Sequence, residues 1–87
     1  MGELAKLPNI GKVVEEQLNK VGIKTVEQLK EIGSKHSWLK IKEIDASACI
    51  NRLYALEGAI QGIRWHHLSD EIKSELKEFY TVNVARK

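Results

Sequence analysis

Apolar residues return every three or four positions along nearly the whole chain, and almost nowhere do they alternate strictly with polar ones. That rhythm decides the fold class, because a period near 3.6 gathers apolar side chains on one helix face whereas a half-buried strand needs a period of two. The expectation is an all-α domain. Glycines at positions 11, 22 and 33 punctuate the first part of the sequence at equal spacing, but the segments between them share little sequence, so they read as helix stops rather than a repeat. Gly22 before Ile23 and Gly33 before Ser34 sit where a residue just past a helix adopts a left-handed conformation that a Cβ opposes.

Between these marks the spacing predicts five helices. The first covers Lys12 to Val21, with Ile10, Val14, Leu18 and Val21 on the apolar stripe and Glu15, Glu16, Asn19 and Lys20 on the other face. The second starts at Thr25, with Gln28 three residues on as the return half of a capping box and Val26, Leu29 and Ile32 inward. The third spans Lys35 to Lys42, capped by Ser34, and buries Trp38 while Lys35, Lys40 and Lys42 stay outside. The fourth and longest is expected from Ala46 to Ile63 behind an Asp45 cap, with Cys49, Leu53, Leu56, Ile60 and Ile63 as its seam; Gly58 and Gly62 there suit close approach of another backbone. After a connector from Arg64 to Leu68, Ser69 caps a fifth helix in which Ile72, Leu76, Phe79 and Tyr80 pack. The expected organisation is one domain over residues 1–82 and a short basic tail over 83–87, the segment TVNVARK carrying no helical pattern.

Composition sets limits rather than a function. Eighty-seven residues leave room for one small core, and a chain this short buries only about 60% of its unfolded surface, so a deep pocket is not expected. A net charge of +2 is far from that of a polybasic membrane or histone-like binder. Residues 1–42 carry eight Lys against five Glu (+3), and residues 43–87 carry six bases against seven acids (−1), which places any anion-facing surface in the N-terminal part. The single cysteine, Cys49, allows neither an intrachain disulfide nor a CxxC zinc site. With no signal-peptide pattern and no apolar span of about 20 residues, a cytoplasmic location and no membrane contact are expected.

The informative stretch is Leu7-Pro8-Asn9-Ile10-Gly11-Lys12, a tight turn running into a helix whose first amides lack intrahelical partners. Amides around Ile10, Gly11 and Lys12 are suited to cradling a phosphate oxygen, with the helix dipole and the Lys12 charge assisting. A turn retained only for packing is the other reading of the same residues. The segment LPNIGKVVEEQLNKVGI resembles a helix-hairpin-helix element, whose hairpin reads Pro-Gly-hydrophobic-Gly and whose family mostly grips DNA backbone without reading sequence. Gly11 matches the second hairpin glycine, and Asn9, a residue that tolerates the left-handed region, stands in place of the first.

A wider resemblance covers almost the whole chain. LPNIGKVVEEQL, VGIKTVEQLKEIGS and YALEGAIQGIRWHHL are together similar to the C-terminal domain of the TfoX/Sxy family of bacterial competence regulators. In that family the helical domain follows an N-terminal α/β domain, which is expected to be missing here, so a competence role does not follow from the resemblance alone. Gly22 to Leu29 is also similar to the C-terminal domain of the RNA polymerase α subunit, a helical module touching both DNA and activators. The resemblance implies a compact, SAM-like helix-hairpin-helix architecture and a module of transcriptional or competence regulation.

The remaining residues divide by chemistry. Lys6, Lys35 and Lys40 are supporting cations that form a stripe with Lys12 or simply decorate solvated helix faces. Glu15 and Glu16, just past the hairpin, repel a duplex unless they point sideways. Arg64 and Trp65 form an exposed protein contact or plug the end of the core. His66 and His67 are adjacent and do not converge, His36 is distant, and no metal site is expected. Catalysis and cofactors are not expected either, since no carboxylate pair, nucleophile with a base, or glycine-rich nucleotide loop is present. Two binding readings remain. One is double-stranded DNA held by its backbone; the other is a protein partner, such as a separate TfoX N-terminal-like domain, the transcription machinery or a second copy.

Overall fold

Five α-helices and two 3₁₀ turns make up the described residues, 3–85, of the computed structural model. A 3₁₀ turn over Glu3–Lys6 precedes α1 (Lys12–Lys20), α2 (Val26–Ile32), α3 (Ser34–Ile44) and α4 (Ile50–Gln61). A second 3₁₀ turn over Trp65–His67 then leads to α5 (Asp70–Ala85). No strand occurs among the described residues, and the all-α bundle of five helices expected from the periodicity is the fold. The helix-hairpin-helix start is present in reduced form, since a single 3₁₀ turn stands before the hairpin and α1 after it.

The first two helices end and begin as their sequence dictates. At the end of α1 the Ile23 amide donates to the Leu18 carbonyl (2.8 Å) and the Gly22 amide to that of Asn19 (3.1 Å), the paired bonds of a Schellman motif, with Leu18 and Ile23 both fully buried beneath. At the start of α2 the Thr25 hydroxyl accepts from the Gln28 amide (3.1 Å) while the Gln28 side chain accepts from the amides of Lys24 and Thr25 (2.8 and 3.2 Å). That capping box is the one the spacing predicted. Gly33 ends α2 and starts α3 with no residue between, at φ 88° and ψ 162°, an extended conformation at positive φ that only glycine enters readily. Ser34 is therefore the first residue of α3 and not its cap; its hydroxyl donates to Glu57 on α4 at 2.6 Å.

The second half departs further from the periodicity. Asp45 closes α3 instead of capping α4. Its carboxylate accepts from the Ser47 amide (3.0 Å), the Gln17 side chain (2.7 Å) and Arg52 (3.0 Å), which ties α1, α3 and α4 together. Hydrogen bonds from the Ser47 hydroxyl first, then Gln17, hold that carboxyl well below the usual carboxylate range. Because the chain turns here, α4 starts only at Ile50, and Cys49, expected on the buried seam, is its exposed N-cap. Ala48, 3% exposed, takes the buried place at this corner. The longest helix is α5, which continues through Thr81–Ala85 where a tail was expected. Val84 packs against the core there, and Asn83 bonds back to the Phe79 carbonyl at 2.8 Å. Arg86 and Lys87, the basic end of that expected tail, lie outside the described residues.

α4 is central and packs against α2, α3, α5 and the second 3₁₀ turn, while α1 lies on α3 and the first turn. Leu18, Leu29, Trp38, Ile41, Leu53 and Leu56 are fully buried. Burial of each leucine or isoleucine contributes roughly 1.5–3 kcal/mol, so these side chains dominate the stability. Trp38 joins three helices, its indole N–H donating to the Cys49 carbonyl (3.1 Å) and its ring meeting Phe79 and Tyr80 edge-on. No helix among the described residues is long and apolar enough to cross a membrane.

Candidate functional site

The hairpin is held from behind. Asn9 is the one described non-glycine residue at positive φ, 69°, a region in which asparagine is favoured over most side chains. Its side-chain amide donates to the carbonyls of Ile63 (3.0 Å) and Ala55 (3.4 Å), and its side-chain oxygen accepts from the Trp65 amide (3.2 Å). A glycine at this position turns the chain equally well but makes none of these bonds, which accounts for the departure from the usual hairpin pattern. The tie requires α4 to come close. A β-carbon added at Gly58 lies 2.5 Å from the Asn9 amide nitrogen, 2.8 Å from the Ile63 carbonyl and 3.1 Å from the Trp65 α-carbon. The close backbone approach expected at the Gly58–Gly62 pair is thus made at Gly58 by the chain's own Ile63–Trp65 turn together with the Asn9 side chain, while Gly62 is the left-handed C-cap of α4.

In front, the same hairpin is open. Ile10 is only 5% exposed and anchors the turn in the core, whereas Gly11 and Lys12 are exposed. Gly11 is the N-cap of α1 with φ −99°, makes no side-chain cap, and has nothing within 4 Å of where a β-carbon would stand. The first amides of α1 therefore have no side-chain cap and stand at the positive end of the helix dipole. Glu15, assigned to the solvent face by periodicity, is only 5% exposed because its carboxylate accepts from the Ala5 amide (3.2 Å) and braces the first 3₁₀ turn. Of the two acids past the hairpin, only Glu16 remains exposed. Among the described residues two ion pairs form, Lys35–Glu75 and Arg52–Asp45, and neither involves Lys6, Lys12, Arg64 or Lys73.

The other residues singled out from sequence separate. Lys35 pairs with Glu75 on α5 (3.3 Å) and lies 5.6 Å from the centre of the Phe79 ring, so it belongs to the α3–α5 contact and does not extend a stripe. Lys40 is exposed farther along α3, and Lys42 lies over the Trp38 ring. Arg64 is exposed, while Trp65 is half-buried. Trp65 stacks on Tyr54 (ring centres 5.6 Å apart, 16° between planes) and on exposed His66 (4.1 Å, 25°), with the Lys73 ammonium 5.9 Å from its centre. Sequence reasoning missed Tyr54, His66 and Lys73 as members of one group, and their spacing offers no signal, since a turn outside helical periodicity brings them together. No group of three or more His, Cys, Asp or Glu able to hold a metal occurs among the described residues.

The comparisons agree with this geometry at the level of the domain. The family model for the TfoX C-terminal domain matches residues 1–80. The protein Sxy of Escherichia coli K12 is 37% identical over 76 residues, which are 87% of this chain but only 36% of that protein, so the chain spans about a third of that curated relative. An uncharacterised protein from Listeria monocytogenes, solved in a triclinic form, superposes with a TM-score of 0.90 at 57% identity over 91% of this chain and 90% of that one. A tetragonal-form structure of a protein of unknown function from the same organism gives 0.90 at 56%, over 92% and 98%.

Proposed function

Because the chain belongs to the TfoX C-terminal domain family, we propose that it is a non-enzymatic binding module of a competence-regulator-related type, which holds double-stranded DNA by its backbone through Asn9–Lys12. The observation that carries this reading is the open start of α1, with uncapped amides, clear space at Gly11 and an unpaired Lys12 beside them. These are the elements of a phosphate cradle, in which backbone amides fix the oxygen and a lysine supplies charge without reading bases. The inward turn of Glu15 supports it by removing one of the two carboxylates that repel a duplex. Lys6, exposed at the end of the first 3₁₀ turn, is the supporting cation, and the reading puts the module's target in the cytoplasm.

The test is a titration of labelled duplex with wild type and with Lys12→Glu at two salt concentrations. The expected result is binding that weakens steeply with salt, and a variant that binds more weakly with a salt slope smaller by about one. No binding by wild type at about 100 µM protein in low salt, the weak limit of non-specific binding, overturns the reading. A protein partner is the second reading, favoured by Val13, which is 62% exposed directly after Lys12. It requires association that tolerates salt and is weakened by Val13→Ser.

A further inference from the structure

The hairpin and the aromatic group around Trp65 are parts of one assembly. Asn9 ends the turn on one side and accepts a hydrogen bond from the Trp65 amide on the other. Lys12 lies three residues along the chain from Asn9, and its α-carbon is therefore at most about 11 Å away. The tie between Asn9 and Trp65 joins two segments of different chemistry. One is the open start of α1 with its lysine. The other is a group of stacked rings in which Trp65 meets both Tyr54 and His66, His66 being the exposed member, with the Lys73 ammonium 5.9 Å from the Trp65 ring. The Lys73 ammonium is fixed there by the His66 carbonyl at 3.2 Å.

Backbone gripping of a duplex gives the rings no task, since paired bases present only their edges in the grooves. An unpaired base presents its face. We infer that the Asn9–Lys12 hairpin and the Trp65–His66 stack together bind a strand of nucleic acid containing unpaired nucleotides, with phosphate at the α1 amides and a base continuing the stack at His66. Charge complementarity supports this occupant, because Lys73 lies 5.9 Å from the Trp65 ring, Arg64 precedes Trp65 in the chain, and neither they nor Lys12 enter an ion pair among the described residues. Aromatic stacking flanked by cations is the sequence-tolerant chemistry by which single strands are held. The inference rests on the hairpin reading for its phosphate contact and adds the ligand class.

The experiment compares anisotropy titrations of labelled oligo(dT), oligo(U) and a duplex of equal length, with protein tryptophan emission recorded throughout. The expected result is tighter binding of the single strand than of the duplex, with quenching of Trp65, since the other tryptophan, Trp38, is fully buried. Comparison of oligo(dT) with oligo(U) shows which strand supplies the shared chemistry. Trp65→Ala is expected to weaken single-strand binding roughly 5- to 150-fold, the range for loss of one stacked base. Trp65→Phe keeps a stacking face and restores most of the affinity. Because Trp65 is half-buried, exposed His66→Ala provides a second variant that does not risk the fold; it weakens single-strand binding by several-fold. Duplex binding that Lys12→Glu abolishes, together with single-strand binding no tighter than duplex and indifferent to both ring variants, overturns this inference and leaves the hairpin reading standing. Absence of binding to every nucleic acid overturns both.

Discussion

The starts of α1 and α2 pose one physical problem and receive opposite answers. Each helix begins with amides that have no partner within the helix. At α2 the Thr25 hydroxyl and the Gln28 side chain occupy amides on both sides of the cap, and Glu3 reaches across from the first 3₁₀ turn to the Val26 amide at 2.8 Å. At α1 the cap is a glycine with no side chain to offer, and no side chain among the described residues caps its amides. The chain therefore uses the sealing device at α2 and omits it at α1, as it also does at α3 and α4, whose caps Gly33 and Cys49 make no side-chain bond. What keeps the α1 start in position is instead the Asn9 tie behind it, which takes none of the α1 amides; within the turn the Ile10 amide, expected in the phosphate cradle, is already bonded to the Leu7 carbonyl (3.3 Å). A sealed start contributes to stability, whereas an open start fixed from behind leaves its donors to water or to an external anion.

The contrast breaks first if the rear tie is not what holds the hairpin. Asn9→Ala removes three side-chain hydrogen bonds and leaves the positive φ to a residue that tolerates it less well. The expected loss is about 2–4 kcal/mol in urea denaturation, from unsatisfied groups and left-handed strain together. Asn9→Gly, which relieves only the strain, is expected to lie between that variant and wild type. A loss smaller than about 1 kcal/mol for Asn9→Ala shows that the hairpin is held by other means. The sealed start comes next. Thr25→Ala is expected to cost about 1 kcal/mol, or 4–8 °C in melting temperature for a domain of this size, and to leave nucleic-acid affinity unchanged. A change in affinity there means that α2 also faces the ligand.

How far the sequence revealed this molecule depended on how local each cause was. The α1 stripe, the Thr25–Gln28 box and the Ser69 cap were legible because each is written within a few residues; the last is seen in the Ile72 amide donating to the Ser69 hydroxyl at 3.2 Å. The start of α4 was misplaced because Asp45 has two ways of serving a helix boundary. Its choice of Ser47, Gln17 and Arg52 depends on tertiary neighbours that periodicity does not show. Cys49 left the core for the same reason. At the hairpin, Gly11, Lys12 and the left-handed Asn9 were read from the local pattern, but the role of the Asn9 side chain was not, since its partners at Ala55, Ile63 and Trp65 lie about fifty residues away along the chain. Glu15 was placed on the wrong face because a single hydrogen bond to Ala5 outweighs its place in the helical period.

The smallest expected effect is also the most discriminating, because it closes the open start without disturbing its support. Gly11 has φ −99° and ψ −175°, ordinary extended values for an N-cap, and open space where a β-carbon would stand, so a side chain enters there without strain. Gly11→Asp supplies an oxygen for the α1 amides and a negative charge at the positive end of the helix. The cap and the dipole together are expected to stabilise the fold by about 0.5 kcal/mol at low ionic strength, less in high salt. If those amides are where a phosphate binds, the same carboxylate occupies and repels that site, and affinity falls as stability rises. Gly11→Ser separates the two causes, since its uncharged hydroxyl occupies an amide without adding repulsion and is expected to lower affinity less. If both variants stabilise the fold and bind duplex as wild type does, the α1 start is open but carries no ligand, and its difference from α2 is one of stability alone.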